Sequence, residues 1–348
     1  MGEAGALAPK WPYAFGGASC RAVLKTEPED FRVDEVTLVE PDGQGEHVLL
    51  RIEKRNANTD WVATRLARYA GVPRRDVSYA GKKDRRALTR QWFSVRMAGR
   101  PEPDWSAFES SEIRVLSSSR HSRKLRTGAL RGNRFVIRAR GLQGDRQQLL
   151  DRLECLTRYG MPNYFGEQRF GRDNANLGAA LAMFAGTAVR LSREKRGLYL
   201  SAARSLLFNS VLSRRVAAGT WNQPIAGERL MLDGSRNSFI PDRLDAEILR
   251  RFAVMDIHPS GPLWGRGDLQ SEGDAGLLER ESLAPLAEFR DGVERAGLKQ
   301  ERRSLRARIS DLSWTFAGDE VELRFFLPKG VYATAMLREC LDYRLAID

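Results

Sequence analysis

The stretch YAGKKDRRALTRQWF (79–93) sets one carboxylate, Asp84, among four cations: Lys82, Lys83, Arg85 and Arg86. Nearby positive charge favours the ionised form of a carboxylate. An ionised carboxylate held in place can act as a nucleophile or a base. The same residues also read as an Asp opening a turn in a surface hairpin, and composition alone does not choose between the two. Other chemistries lack their usual signatures. The chain has no Walker loop, no GxGxxG, no HExxH and no GxSxG. Its three cysteines (Cys20, Cys155, Cys340) and three histidines (His47, His121, His258) lie far apart. Neither a metal site nor a disulfide framework is expected from such spacing, and a reducing cytosol is the simplest location.

The charge around this motif suggests its partner. The chain has 348 residues and a formal net charge of +12, with 42% hydrophobic residues. That is enough apolar material for real cores, and the length suggests about two domains. From Arg120 to Arg140 the sequence reads RHSRKLRTGALRGNRFVIRAR, with eight Lys/Arg and no acid, two-thirds of the net charge. A solvated helix face mixes its signs, as residues 290–308 do. An acid-free stretch attracts phosphate and makes binding salt-dependent. Gly128, Gly132 and Asn133 interrupt it and FVIR alternates after them, so it reads as a basic loop feeding a strand. With Lys82, Lys83, Arg85, Arg86 and Arg90 as a second basic cluster, a nucleic-acid partner is the leading explanation, against a merely solubilising loop. No apolar run approaches the ~20 residues of a membrane span. The start, MGEAGALAPKWPYAFGG, shows neither a secretory signal nor, with Ala6 in sixth place, a myristoylation pattern.

The elements that must position Asp84 are legible from periodicity. FRVDEVTLV (31–39) and EHVLLRIEK (46–54) alternate as strands around the turn PDGQG. NTDWVATRLARYAGV predicts a helix capped by Asn58 or Thr59, with Trp61, Val62, Leu66 and Tyr69 on one stripe and Gly71 at its end. DVSYAG is a short strand, KKDRRAL a loop and TRQWFSVRM a further strand. The order β-β-α-β-loop-β predicts an α+β sheet. Residues 146–160 and 202–219 read as helices, GERLMLDGSRNSF as short strands and HPSGPLWGRGD as a Gly/Pro/Trp-rich loop carrying His258 and Trp264. The end of the chain reads as a strand, a turn at Pro328–Gly330 and a helix.

GKKDRRALTRQWF resembles the motif around the catalytic aspartate of the TruD family of tRNA pseudouridine synthases, G-x-K-D followed by A-x-T-x-Q. Gly81, Lys83, Asp84, Ala87, Thr89 and Gln91 match it. Further matches follow in the family's order. They are LKTEPEDFRVDE (24–35), GEHVLLRIEKRNANT (45–59), RKLRTGALRGNRF (123–135), PNYFGEQRFG (162–171), LSAARSLLFN (200–209), GPLWG (261–265) and LPKGVYATAMLRE (327–339).

The resemblance implies a pseudouridine-synthase core with a mixed or antiparallel sheet and flanking helices, plus an inserted smaller α/β domain. The expected divisions are 1–188 and 307–348 for the core and 189–306 for the insertion. It implies isomerisation of a tRNA uridine, at position 13 in the D arm, with no cofactor and no metal. Asp84 is the implied catalytic carboxylate and Lys25 its basic partner. Phe31, Asn163, Phe165 and Tyr332 match positions that meet the base; Tyr332 stands where the family often has Phe. Arg123, Lys124, Arg126 and Arg131 are expected to bind RNA. His258 and Trp264 are expected to be structural or RNA-facing. No protein partner is evident, and a cytoplasmic monomer is expected. The rival is a non-catalytic RNA-binding protein or RNA chaperone using the same charge.

Overall fold

In the computed structural model, residues 10–188 and 190–346 are described. The first residues read for targeting signals, up to residue 9, lie outside them. The chain runs β1 (Cys20–Leu24), β2 (Phe31–Thr37), β3 (His47–Arg55), α1 (Thr59–Tyr69), β4 (Val77–Tyr79), β5 (Leu88–Arg96), β6 (Ile113–His121) and β7 (Leu130–Gly144). Next come α2 (Arg146–Tyr159), β8 (Met161–Pro162), α3 (Ala175–Phe184), α4 (Arg193–Ala217), β9 (Leu230–Leu232), β10 (Ser238–Phe239), α5 (Ala246–Ala253) and β11 (Ile257–Leu263). The rest is α6 (Gly273–Leu283), α7 (Ala287–Arg295), β12 (Glu301–Ser304), β13 (Arg306–Ala307), β14 (Ser310–Ala317), β15 (Glu320–Pro328), α8 (Ala333–Leu337) and β16 (Leu341–Leu345).

Two compact units are interleaved along the chain. A sheet unit holds Ser19–Arg146, Ile309–Gly330 and the segment from Leu341 onward; a helical unit holds the segment up to Ala18, Gln147–Arg308 and Val331–Cys340. These boundaries differ from the divisions read from sequence: 147–188 group with the following segment, and Val331–Cys340 do so across the return to the sheet. Compactness follows contacts, and a chain that leaves one unit and returns carries no composition change to mark it.

The sheet unit is built on a mixed sheet of order β14-β15-β7-β2-β5-β3-β6, with β1 joining β7 to β16 and β4 on β5. β2 runs parallel to β5, and β1 to β16; the other pairings are antiparallel. One face gathers Phe31, Phe135 and Phe325, with Phe135 stacked on Phe325 at 5.2 Å and meeting Phe31 edge-on at 6.2 Å. The same face, further along the sheet at β5 and β3, carries α1, capped by the Asn58 carboxamide accepting from Asp60 N at 2.8 Å. The helix buries Val62, Ala63, Leu66 and Ala67 against Val48, Leu50, Ile52, Phe93 and Val95. Trp61 and Tyr69 do not share that stripe; they are 41% and 37% exposed. The buried face of the helix is narrow, made of Thr59, Val62, Ala63, Leu66 and Ala67, and Trp61 falls one position outside it.

The helical unit surrounds α4, which begins nine residues before the predicted start and buries residues around much of its circumference, from Ala202 to Val216. Against it pack α3, α6, α7 and β11. The first part of the expected Gly/Pro/Trp-rich loop, 258–268, is instead β11, an inner strand of a four-stranded sheet of order β10-β9-β11-β12. His258 and Trp264 are buried there: His258 bonds Asp233 and Arg306, and Trp264 donates to Glu294. Pattern reading missed the strand because Pro259, Gly261 and Pro262 interrupt its alternation. Among the described residues no helix is long and apolar enough to cross a membrane.

Gly132 shows how tightly β7 approaches β15. A Cβ there would lie 2.2 Å from the Leu327 carbonyl oxygen and 2.5 Å from the Phe326 ring. Backbone cannot yield cheaply, so Gly132→Ala is expected to lower stability by about 1–3 kcal/mol. The check is a reduced urea midpoint at unchanged slope.

Candidate active site

The loop that carries Asp84 leaves β4 at Tyr79 and enters β5 at Leu88. Neighbouring elements hold its backbone. Gln91 of β5 donates to Gly81 O at 3.2 Å. Thr59, the first residue of α1, accepts from Lys83 N at 3.1 Å and donates to Gln91 Oε1 at 2.9 Å. Lys83 Nζ bonds Glu35 of β2, whose carboxylate is fully buried and also accepts from Trp92 N. Lys54 of β3, fully buried, donates from Nζ to Asp84 O at 2.9 Å and to Ala57 O at 2.7 Å. Burial pulls the Lys54 ammonium down to about 8, against the opposing pull of Asp84. The amine keeps N–H donors for both carbonyls whether charged or neutral.

With its peptide held, the Asp84 side chain stays open. It is 43% exposed, and Oδ2 meets Lys25 Nζ at 2.5 Å. No hydrogen bond engages Oδ1 among the described residues. Lys25 sits just past β1 at φ +58°, a left-handed conformation uncommon for lysine. Such strain persists only where surroundings over-determine it, and functional sites are where it clusters. Its ammonium also lies 4.1 Å from the centroid of the Phe31 ring. Lys25, Phe31 and Asp84 therefore form one constellation: a carboxylate with one oxygen balanced by a cation and the other available, beside an aromatic ring. It can attack an electrophilic carbon or accept a proton.

The helical unit carries a second constellation. The Asn209 carboxamide of α4 grips the main chain of Phe165, accepting from Phe165 N at 2.9 Å and donating to Phe165 O at 3.0 Å. The half-buried Phe165 ring meets Phe208 edge-on at 5.5 Å and Tyr332 at 6.0 Å. The Arg303 guanidinium lies 4.2 Å from its centroid, and Arg169 bonds the Tyr332 hydroxyl and Ser201 Oγ. Asn163 holds Arg303 through Oδ1 at 2.5 Å and spends Nδ2 on Ser304 O at 2.9 Å. Burial pulls Arg303 down to about 10, which leaves it charged near neutral pH. The result is a cation–aromatic platform held by buried amides.

Residues 11–182 and 176–340 match the protein family described as tRNA pseudouridine synthase D (TruD). The chain belongs to the TruD family. It is similar to the tRNA pseudouridine synthase D of Methylococcus capsulatus, 52% identical over 333 residues that cover 95% of this chain and 94% of that protein. It is similar also to that of Nitrosococcus oceani, 50% identical over 339 residues, covering 96% and 95%. In fold it matches a crystal structure described as TruD from Methanosarcina mazei, with a TM-score of 0.73, 21% identity and 96% of each chain covered. The α+β reading agrees with that fold.

The TruD-like motifs map onto the two constellations separately. Asp84, Lys25 and Phe31 are brought together in the sheet unit; Asn163, Phe165 and Tyr332 are brought together in the helical unit. Asn163, expected to present a donor and an acceptor to a base, uses both within the chain. Sequence reading passed over Lys54, Glu35, Asn209, Arg169 and Arg303. Four of them lie inside or beside quoted motifs: Glu35 ends the opening segment, Lys54 sits in the next, Arg169 lies in the PNYFGEQRFG signature and Asn209 ends the α4 segment.

The basic segment also divides. Arg120 pairs with Glu102, Arg134 with Asp311, Arg138 with Glu322 and Arg140 with Asp30 and Glu320. It is acid-free in sequence, yet half of its cations are neutralised by acids from other segments. Arg123, Lys124, Arg126 and Arg131 are exposed and have no acidic partner among the described residues; Lys124 bonds only the Arg75 carbonyl. Their loop is tied to the start of the Asp84 loop by Gly128 N donating to Ala80 O at 2.7 Å and by buried Leu125 packing with Ala80.

The buried lysine has a thermodynamic signature. Its folded value of about 8 lies below the ordinary 10.5, so the burial penalty is complete below pH 8. As pH rises from 8 to 10.5 the unfolded chain holds more protons at this position than the folded one, and the penalty is lifted. Urea titrations of wild type and Lys54→Met should therefore diverge in favour of wild type across that window. A pH-independent difference would count against a buried ammonium.

Proposed function

We propose that this protein isomerises a uridine of tRNA to pseudouridine, with Asp84 as the catalytic carboxylate and Lys25 as its charge partner. The observation that carries the reading is the Asp84–Lys25 pair, on a motif of the TruD family, with one carboxylate oxygen left open. In the reaction the bond between sugar C1′ and base N1 breaks, the uracil turns, and C1′ bonds to C5. The C5 proton is lost and N1 regains one, so product and substrate have the same atoms. Attack on C1′, attack on C6 and removal of a sugar proton each need an ionised, uncovered oxygen. Lys25 places its ammonium 2.5 Å from Oδ2 and leaves Oδ1 uncovered. The backbone bonds from Lys54, Thr59 and Gln91 keep the oxygen aimed.

A uridine must leave the helical stack before its glycosidic bond can be reached. We assign Phe31 to the base at the Asp84 side, where Lys25 already lies over its ring. Phe165 and Tyr332 offer half-exposed ring surface for stacking, and Asn163 serves by holding Arg303 against Phe165. Arg123, Lys124, Arg126 and Arg131 serve the phosphate backbone. We take the substrate to be the uridine at position 13 in the D arm, and the protein to act as a cytoplasmic monomer without cofactor or metal. The two-domain division into a catalytic core and an insertion of roughly 189–306 belongs to the same reading.

Asp84→Asn separates this reading from RNA binding alone. Pseudouridine formation on tRNA should fall by at least roughly 10²–10⁴-fold, while filter-binding affinity stays near wild type because affinity rests on many phosphate contacts. Substantial turnover by the pure variant would remove Asp84 from the chemistry. Mapping pseudouridine in cellular tRNA with and without the protein identifies the position modified.

Joint replacement of Arg123, Lys124 and Arg126 by Ala removes three uncompensated charges. The slope of log K against log salt should flatten by roughly 2–3 units, at about 0.7–0.9 per contact. Joint replacement of Arg134 and Arg138, which are spent on acids, should leave the slope unchanged. Equal slopes for the two sets would assign the basic loop to folding rather than to RNA.

A further inference from the structure

The cations flanking Asp84 are nearly all occupied. Lys82 pairs with Asp60 at 2.9 Å, Lys83 with buried Glu35 and Arg90 with Glu53 at 2.8 Å. Arg86 donates to Ala346 O. Lys25 balances Asp84 itself. Arg85, the residue directly after Asp84, is exposed and has no acidic or hydrogen-bonding side-chain partner among the described residues. Its main chain is nonetheless fixed: Arg85 O accepts from Ala87 N at 2.9 Å, Ala87 is fully buried, and Asp84 O is held by Lys54.

We propose that Arg85 binds a phosphate flanking the nucleotide on which Asp84 acts; the proposal rests on the activity proposed above. An anionic RNA brought to a carboxylate meets repulsion. Lys25, Lys82, Lys83 and Arg90 are each balanced by a carboxylate and Arg86 is engaged at Ala346 O, whereas Arg85 brings a positive charge that no acid balances among the described residues. The ribose of a reacting nucleotide carries one phosphate on each side, so a side chain one residue along from Asp84 is placed to meet one of them. Arginine suits the task because its planar fork matches phosphate oxygens with two parallel hydrogen bonds. Being exposed, it loses little hydration before RNA arrives, and its rigid loop limits the ordering needed on binding.

The test uses the full chain and three tRNA-fragment substrates: one unmodified, one with a methylphosphonate linkage on the 5′ side of the target uridine, one with it on the 3′ side. On unmodified RNA, Arg85→Ala should weaken binding by about 10–100-fold and flatten the salt slope by about 0.7–0.9. Arg85→Lys should keep the slope while losing part of the affinity. On one of the two modified RNAs, wild type should fall to the level of Arg85→Ala, and the variant should lose nothing further, the non-additivity of two groups that touch. Undiminished affinity of Arg85→Ala on unmodified RNA overturns the proposal. So does the same fold-loss on all three RNAs, which would assign Arg85 to a more distant phosphate. If wild type binds unmodified RNA yet forms no pseudouridine in it, the activity itself fails, and this proposal with it, on a readout separate from the binding comparison.

Discussion

An exposed carboxylate can be aimed only if the peptide that carries it does not move. Asp84 lies in a connection between a three-residue strand and the edge of a longer one, where backbone is ordinarily free. Here Lys54, Thr59, Gln91 and Glu35, from three strands and a helix, fasten Gly81, Lys83 and Asp84 of that connection. All four are buried. Buried polar groups are expensive unless satisfied, and these satisfy one another through the loop. The Asp84 side chain is thereby released from structural duty and left open to solvent.

The second constraint is electrostatic. A strongly basic chain could bind polyanions anywhere, yet much of its positive charge is withdrawn from solution by cross-strand acids. Asp30, almost fully buried, takes both its oxygens to Arg140, and hydrogen bonding between them raises the guanidinium further above its ordinary range. Arg138 likewise meets Glu322 on neighbouring β15, and Arg134 meets Asp311 on β14, one strand further. Within the 120–140 segment the cations left without acids, Arg123, Lys124, Arg126 and Arg131, belong to the loop tied to Ala80, and Arg85 beside Asp84 is likewise without one among the described residues. Segregation of this kind supplies direction as well as attraction.

In the helical unit, one carboxamide does work that a strand partner would do elsewhere. Asn209 satisfies both main-chain groups of Phe165 and fixes the ring relative to Tyr332 and Arg303. Gly166 beside it leaves room: a Cβ there would come within 2.8 Å of Thr334 Oγ1 and 3.3 Å of the Tyr332 ring. The signature PNYFGEQRFG thus reads as packing instructions for a platform, with its asparagine acting through Arg303.

What the sequence determined by itself was local. Alternation gave β2 and β3, the Asn58 cap and Gly71 bounded α1, and the motif around Asp84 marked the carboxylate, because these depend on residues near in the chain. Tertiary structure decided the rest. Lys54 looks like one more strand lysine until its ammonium is seen beneath the Asp84 carbonyl. Asn209 looks like a helix-interior asparagine until the Phe165 main chain lies against it. Trp61 matched the helical period but missed the narrow buried face. The acid-free run at 120–140 lost half its charge to Glu102, Asp311, Glu322 and Asp30, residues up to 184 positions away along the chain. Charge pairing and burial act through space, and only the fold states which distant residues are neighbours.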